Sequence, residues 1–259
     1  MSEKSPEICR VCHSPSLLHG EAAVLKKHRV SYFRCVECGF IQTEEPYWLE
    51  EAYSAAIAGQ DVGIIGRNLN NSEVVSAILG LLFPNTKDAI DFGAGHGILV
   101  RMMRDRGFNF FWLDRYATND YARGFDAPPG RRFDFLTAFE VLEHLTDPVA
   151  EISNLMELSE NVLVSTGLVP NPAPRVGEWW YFMPSCGQHI SFYTEKSLQL
   201  IARRFNRHLL SCNTYHLFSA KPKNRMLFKL ATRPRAARLV NLFFRRPSLV
   251  PRDLATMTR

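Results

Sequence analysis

The sequence predicts an α/β protein built on a parallel sheet, with a small cysteine-bearing module ahead of it. Three observations carry that prediction. From residue 88 onward, short apolar runs alternate with helix-patterned stretches, the signature of strand–helix–strand units. A glycine-rich turn, Asp91-Phe92-Gly93-Ala94-Gly95-His96-Gly97, joins the first of those strands to the helix after it. Four of the six cysteines fall within the first 38 residues, in two C-x2-C pairs.

The elements follow in order. Residues 1–45 are polar and cysteine-bearing, with short β-type runs such as Val30-Ser31-Tyr32-Phe33. YWLEEAYSAAIA, residues 47–58, reads as a connector helix. Asn70-Asn71-Ser72 offers N-cap residues for a helix through SEVVSAILGLLF, stopped at Pro84. AIDF is then a strand, GILVRMMRDRG a helix ending at Gly107, and FNFFWLD a second strand. FDFLTAFEV is the next strand, followed by a helix that Asp147 and Pro148 open and by the strand NVLVSTGL. After the proline-rich VPNPAPRVGEWWYFMP, TEKSLQLIARRF is a helix, and HLLSCNTYHLFSAKP reads as a terminal pair of strands.

Composition narrows the class. With 259 residues, 46% hydrophobic and 22% charged, the chain is too apolar for a disordered protein and long enough for a full domain plus a small module. No apolar run reaches the roughly 18 residues of a membrane span, and MSEKSPEICRVC lacks the apolar stretch of a signal peptide. Both point to a cytoplasmic, reducing compartment. The net charge of +5 is unevenly spread. Residues 221–259 hold eleven Lys and Arg against one acid, Asp253, a net of +10, and the preceding 220 residues are net −5.

Cys9 and Cys12 form one pair, Cys35 and Cys38 the other, with 22 residues between them. Two such pairs on tight turns complete a tetrahedral four-thiolate site, and this spacing predicts structural Zn²⁺. A closed site has no open coordination position, so the metal contributes folding energy and no chemistry. His13 reads as an exposed bystander.

The glycine turn has the spacing D-x-G-x-G-x-G. It lacks the second spacer of the dinucleotide fingerprint and the Lys-Ser/Thr of a phosphate loop. The strand after its helix ends at Asp114, where a carboxylate can accept both hydroxyls of a ribose.

Together, DFGAGHG, the acid at Asp114 and FDFLTAFEVLEHLTDP resemble the class I S-adenosylmethionine-dependent methyltransferases. The resemblance implies a Rossmann-like seven-stranded sheet ending in a reversed hairpin, with S-adenosyl-L-methionine as cofactor. By the same resemblance Asp91 orients the methionine amino group, and Gly93, Gly95 and Gly97 line the cofactor. Asp114 holds the ribose, Asp126 lies near the adenine, and Glu140 sits at the mouth of the fourth strand near the methionine end. The cysteine module followed by YWLEEAY is similar to the zinc-binding domain of sugar C-methyltransferases, which implies a nucleotide-linked or glycan sugar acceptor. Their catalytic loop resembles Gly187-Gln188-His189-Ile190-Ser191-Phe192-Tyr193, with Gln188 where the pattern has Glu. His189 is the first choice for the base that takes the acceptor's proton, since imidazole titrates near neutrality. Tyr193 and Glu140 complete the catalytic candidates. Trp179, Trp180 and Tyr181 suit stacking on a sugar face, and Glu143 and His144 read as pocket wall.

The expected organisation is a zinc-binding module at 1–45, a connector helix at 46–71, a methyltransferase domain at 72–220 and a basic extension at 221–259. In that extension Leu227, Leu230/Ala231, Val240 and Phe243/Phe244 approximate a helical face broken at Pro234. It reads equally as a tail packed on the protein and as a peripheral contact with an anionic membrane surface at the inner face. A nucleic-acid grip ranks lower. Two rival functions stand beside the leading one. An RNA methyltransferase with a zinc module is disfavoured by the acidic body, and a non-catalytic binding protein by the intact glycine turn with its acid.

Overall fold

The computed structural model describes residues 5–54 and 62–257, and these fall into two compact units. The first gathers Met1–Gln60, Glu140–Ser153 and Ser165–Leu209. Its sheet has five strands in the order β1 (Glu7–Ile8), β2 (Pro15–Val24), β3 (His28–Cys35), β4 (Ile41–Thr43) and β9 (Ser191–Phe192). Every pairing is antiparallel, from Ser16↔Cys35 and Val24↔His28 to Ile41↔Phe192. The core beneath it is aromatic: the Tyr32 ring meets Phe182 edge-on at 5.5 Å, and Phe182 meets Phe192 at 4.8 Å. Trp48, just before α1 (Leu49–Ser54), joins this core, and its buried indole N–H donates to the Gly187 carbonyl at 2.8 Å. The rest of the expected connector helix, from residue 55 to 58, lies outside the described residues.

The second unit gathers Asp61–Phe139, Asn154–Val164 and Leu210–Arg259. Most of a six-stranded sheet lies in it, in the order β10 (His208–Cys212), β11 (Tyr215–Ser219), β8 (Asn161–Ser165), β7 (Phe135–Phe139), β5 (Asp88–Phe92) and β6 (Asn109–Leu113). The strand β5 runs parallel to β6, in register Asp91↔Trp112, and to β7, in register Asp91↔Thr137. Only Asn213 and Thr214 separate β10 from β11, a connection that makes an antiparallel hairpin. Where a seventh strand was expected beyond β6, one parallel bridge, Trp112↔Asp126, holds the place. Pro128 and Pro129 follow within three residues and lack the N–H that would continue the ladder.

The helix α2 (Ile64–Leu82) begins eight residues before Ser72, the expected first helical residue. Gly63 is the N-cap, and Ser72 is fully buried with its hydroxyl donating to the Leu69 carbonyl. Asn71 Oδ1 accepts the Tyr215 hydroxyl at 2.7 Å. These polar residues look like caps in sequence, but they satisfy themselves inside the helix and its packing. Val74, Val75, Ile78 and Leu79 face Leu99, Val100 and Met103 of α3 (Ile98–Asp105) and Phe110, Phe135 and Leu217 of the sheet, in one core. The helices α4 (Pro148–Leu158) and α5 (Glu195–Arg204) form close to where expected, the latter closed by a Thr194–Ser197 capping box.

The basic segment forms α6 (Arg225–Ala231), α7 (Pro234–Phe243) and α8 (Val250–Met257), with Pro234 at the first position of α7. Phe228, Ala231 and Ala237 join the core of their unit, so these helices are part of the domain. Of the expected face, Ala231 is buried and Leu227 and Val240 pack on the same core, whereas Phe243 is 85% exposed. Gly80 of α2 makes room for Phe244, whose Cγ would lie 2.8 Å from a Cβ there. Asp253 and Arg104, both buried, are joined by two hydrogen bonds of 2.6 and 2.8 Å, and Arg101 adds a third at 2.8 Å.

Candidate functional site

In the second unit the glycine turn connects β5 to α3. Gly93, Gly95 and Gly97 have φ of +67°, +52° and +86°, a region open to glycine and costly for most side chains. The turn is stitched to the end of β6: Gly93 N–H donates to the Leu113 carbonyl, and Trp112 Nε1 donates to the Gly95 carbonyl at 2.8 Å. Asp114 Oδ2 accepts Gly95 N–H at 2.9 Å, and Oδ1 accepts Tyr116 and Ala117 N–H at 2.7 and 2.9 Å. At Gly97 an added Cβ would meet Asn119 and Ala122 within 3.2 Å, whereas at Gly95 it would meet nothing. The backbone at Gly95 is therefore open to close approach by a ligand.

Asp91, on β5 two residues before Gly93, is 4% exposed, and its Oδ1 accepts the Thr137 hydroxyl at 2.6 Å. Burial pushes its carboxyl up to about 7, against the Thr137 bond and with help from the Asp114 charge. A buried carboxylate with this bias gains from an arriving cation such as an ammonium group. Asp126 is exposed beside the edge of β6 and accepts from Asn119 Nδ2 at 3.2 Å. Asp91, Asp114, Asp126 and the three glycines thus occupy one end of one sheet.

The first unit holds the four thiols. Sγ distances are 3.7 Å for Cys9–Cys38, 3.4 Å for Cys12–Cys35 and 3.5 Å for Cys12–Cys38. A tetrahedral Zn–S site with bonds of about 2.3 Å places its sulfurs about 3.8 Å apart, so the set fits Zn²⁺. The two pairs are closed by the same kind of turn. His13 N–H returns to the Cys9 carbonyl and Gly39 N–H to the Cys35 carbonyl, with φ of +59° and +71°. Val11 N–H and Cys38 N–H donate to the first sulfur of each pair at 3.4 Å. His13 occupies a turn position and is not among the clustered ligands.

A second polar cluster of this unit lies after β7 and before β9. Glu140 has φ +54°, unusual for a side-chain-bearing residue, and Ser165 holds it there. Glu140 N–H donates to Ser165 Oγ at 3.0 Å, and the hydroxyl donates back to Glu140 Oε1 at 2.6 Å. Glu143 is fully buried, accepts the Tyr181 hydroxyl at 2.6 Å and is pushed up to about 8 by burial and by the Glu140 charge. His189 is 9% exposed, and its Nδ1–H donates to the Tyr181 carbonyl at 2.8 Å, which leaves Nε2 as a lone pair. Burial holds its pKa below the ordinary imidazole value, against the carbonyl bond and the Glu140 charge. The rings of His144 and His189 meet edge to face at 5.0 Å, and burial pulls His144 down to about 3.

Sequence reasoning named His189 here but left Glu143 and His144 as wall and Tyr181 as a stacking surface. Tyr181 is instead 3% exposed and spends its hydroxyl on Glu143. Tyr193, expected to act in the chemistry, is fully buried, and its hydroxyl donates to the Leu142 carbonyl at 2.9 Å. It braces the turn that carries Glu143. Of the expected stacking residues, Trp180 is 75% exposed and Trp179 half-buried.

Residues 67–211 match the model of a family described as a methyltransferase domain. No curated protein matches the chain. Among solved structures, TnmH is 18% identical with a TM-score of 0.49, over 67% of this chain and 61% of that one. The mitomycin 7-O-methyltransferase MmcR is 15% identical with a TM-score of 0.46, over 66% and 59%. An O-methyltransferase family protein from Burkholderia thailandensis is 16% identical with a TM-score of 0.45, over 66% of each chain. The match spans about three fifths of the length of TnmH and MmcR.

Proposed function

The family model covers more than half of the chain, so the chain belongs to the methyltransferase-domain family, and on that premise we propose that it transfers the methyl group of S-adenosylmethionine to a sugar acceptor. The observation that carries the cofactor reading is the glycine turn held at Gly95 by the Asp114 carboxylate. Asp114 keeps one acceptor position, on Oδ2, for a ribose hydroxyl, Gly95 lets the backbone approach between Gly93 and Gly97, and Asp91 suits the methionine ammonium. Asp126 is the candidate beside the adenine, and Glu140 the candidate at the methionine end. When bound, this group supplies an electrophilic methyl on a sulfonium, and the protein's part is alignment and removal of the acceptor's proton. His189 is the candidate base, because its tautomer leaves Nε2 free and its lowered pKa keeps it neutral at pH 7.

The sugar acceptor rests on the four-cysteine module and on the exposed Trp180. Structural Zn²⁺ at Cys9, Cys12, Cys35 and Cys38 belongs to the same reading. So does a peripheral contact with an anionic membrane surface, supported by exposed Leu239, Leu242 and Phe243 among Arg235, Arg238 and Arg245. No helix among the described residues is long and apolar enough to cross a membrane. A labelled-methyl transfer screen across nucleotide sugars, lipid-linked glycans and RNA tests the acceptor. Label on a sugar supports the reading, and label on RNA alone contradicts it.

A further inference from the structure

The turn after β7 and the loop before β9 bring together three ligand-type groups, of which methyl transfer by a free base needs only His189. One ligand atom each from Glu143, His144 and His189 lies within 4.8 Å of the others. Both imidazoles are fixed through Nδ1: that of His189 lies 2.8 Å from the Tyr181 carbonyl and that of His144 lies 3.2 Å from the Gln188 carbonyl. A carbonyl only accepts, so the His189 ring carries its proton on Nδ1 and presents a lone pair at Nε2, and the His144 ring does the same when the Gln188 carbonyl, rather than the Tyr53 hydroxyl 3.3 Å away, is the partner of its Nδ1. This is the arrangement of metal-binding histidines, whose other ring nitrogen donates to a carbonyl or carboxylate. Glu143 spends one oxygen on the Tyr181 hydroxyl, while Oε2 is buried with no hydrogen-bond partner among the described residues. A buried carboxyl oxygen without a hydrogen-bond partner is costly, and a cation bound there in place of the carboxyl proton removes the cost.

We propose that Glu143, His144 and His189 form a second metal site for a single divalent cation of borderline hardness, such as Mn²⁺, Fe²⁺, Co²⁺ or Zn²⁺. Two imidazoles and one carboxylate favour these ions over Mg²⁺ and Ca²⁺, which take all-oxygen sets. Ligand atoms of one ion at about 2.1 Å lie roughly 3.0–3.5 Å apart, so binding draws the three groups together by up to roughly 1.3–1.8 Å. The site also differs from the thiol cluster in kind. Four thiolates close the coordination shell of Zn²⁺, whereas three ligands leave positions open for an outside oxygen. Its use in catalysis rests on the methyltransferase reading above. With the ion bound, His189 is a ligand, and the ion acidifies an acceptor hydroxyl so that its proton passes to water. The acceptor oxygen then gains the methyl, and the electron pair of the broken C–S bond stays on sulfur.

Binding is measured apart from activity. Protein with one zinc per chain in the thiol site is titrated with Mn²⁺, followed by the electron paramagnetic resonance of free Mn²⁺ and by calorimetry. The wild type binds one Mn²⁺ per chain, and Glu143→Gln and His189→Gln each weaken it by about tenfold or more. Retained zinc and an unchanged melting profile in the variants show that they are folded. The proposal is overturned if the wild type takes up neither Mn²⁺ nor Co²⁺ beyond the thiol site, or if Glu143→Gln binds as tightly as wild type. S-adenosylmethionine binding by a chain that takes no second metal would overturn this site alone and leave the methyltransferase reading standing.

Discussion

Asp114 Oδ2 accepts the Gly95 N–H at 2.9 Å, so the acid that follows β6 holds the glycine turn that follows β5. The other oxygen takes the Tyr116 and Ala117 amides, and the carboxylate is thereby fixed in place before any ligand arrives. Asp114→Ala removes three charge-assisted bonds as well as the ribose acceptor. Affinity for S-adenosylmethionine should fall by about tenfold or more, at roughly 1.5–3 kcal/mol for a hydrogen bond to a charged group. Calorimetry reads this directly, and unchanged affinity would remove Asp114 from the site.

Gly95 and Gly97 separate binding from folding. Gly97→Ala drives a Cβ to 2.9 Å from Asn119 Oδ1 and 3.0 Å from Ala122 Cβ, at φ +86°. It should cost about 2 kcal/mol or more and lower Tm by several degrees. Gly95→Ala puts its Cβ into open space and costs the fold less, but it intrudes where a ligand would approach. Thermal melts and binding isotherms of the two variants should rank them in opposite order.

Asp91 makes stability depend on pH. Its folded pKa, raised to about 7 from 3.8, means that the folded chain holds this proton more tightly than the unfolded chain. The Asp91 contribution therefore favours the fold at low pH and declines as pH rises from about 4 to about 7. Urea unfolding at pH 5 and pH 8 should show a loss in the wild type that is smaller in Asp91→Asn. An equal loss in both would contradict the assignment.

Legibility differed from element to element, for physical reasons. The cysteine pairs and the glycine turn are local, so their spacing alone announces the geometry that the structure shows. The acid at Asp114 was readable because a strand end has a definite address on a parallel sheet. The start of α2 was not, since Asn71 and Ser72 resemble caps until Tyr215 and the Leu69 carbonyl are seen to use them. The cluster of Glu143, His144 and His189 joins residues 46 apart through Tyr181, and no local pattern reports such a meeting. A Glu-His pair just after a strand end was the available signal. The helical break at Pro234 was legible, but the burial of Phe228 and Ala237 depends on α2 and was not.

The C-terminal helices should prove integral to the domain. Arg104 and Asp253 are each 3% exposed and paired at 2.6 Å, and Arg101 shares the same carboxylate. Their charges hold the Asp253 carboxyl below its ordinary pKa, against the effect of burial. Asp253→Ala leaves a buried guanidinium without its partner, at a cost of about 3–5 kcal/mol. Denaturant unfolding that shows no loss would argue that α8 is dispensable.

The thiol cluster should hold metal as purified. Elemental analysis is expected to return at least one zinc per chain, and Cys35→Ser should lose it together with the order of the N-terminal strands. A metal-free protein with the same circular dichroism and Tm would refute the four-cysteine site.

The most direct test of the central claim is a calorimetric titration of the zinc-loaded protein with S-adenosylmethionine. The glycine turn and its acids predict saturable binding of one molecule per chain, weakened in Asp114→Ala. No heat of binding from the folded wild type, or equal heat from wild type and Asp114→Ala, would contradict it.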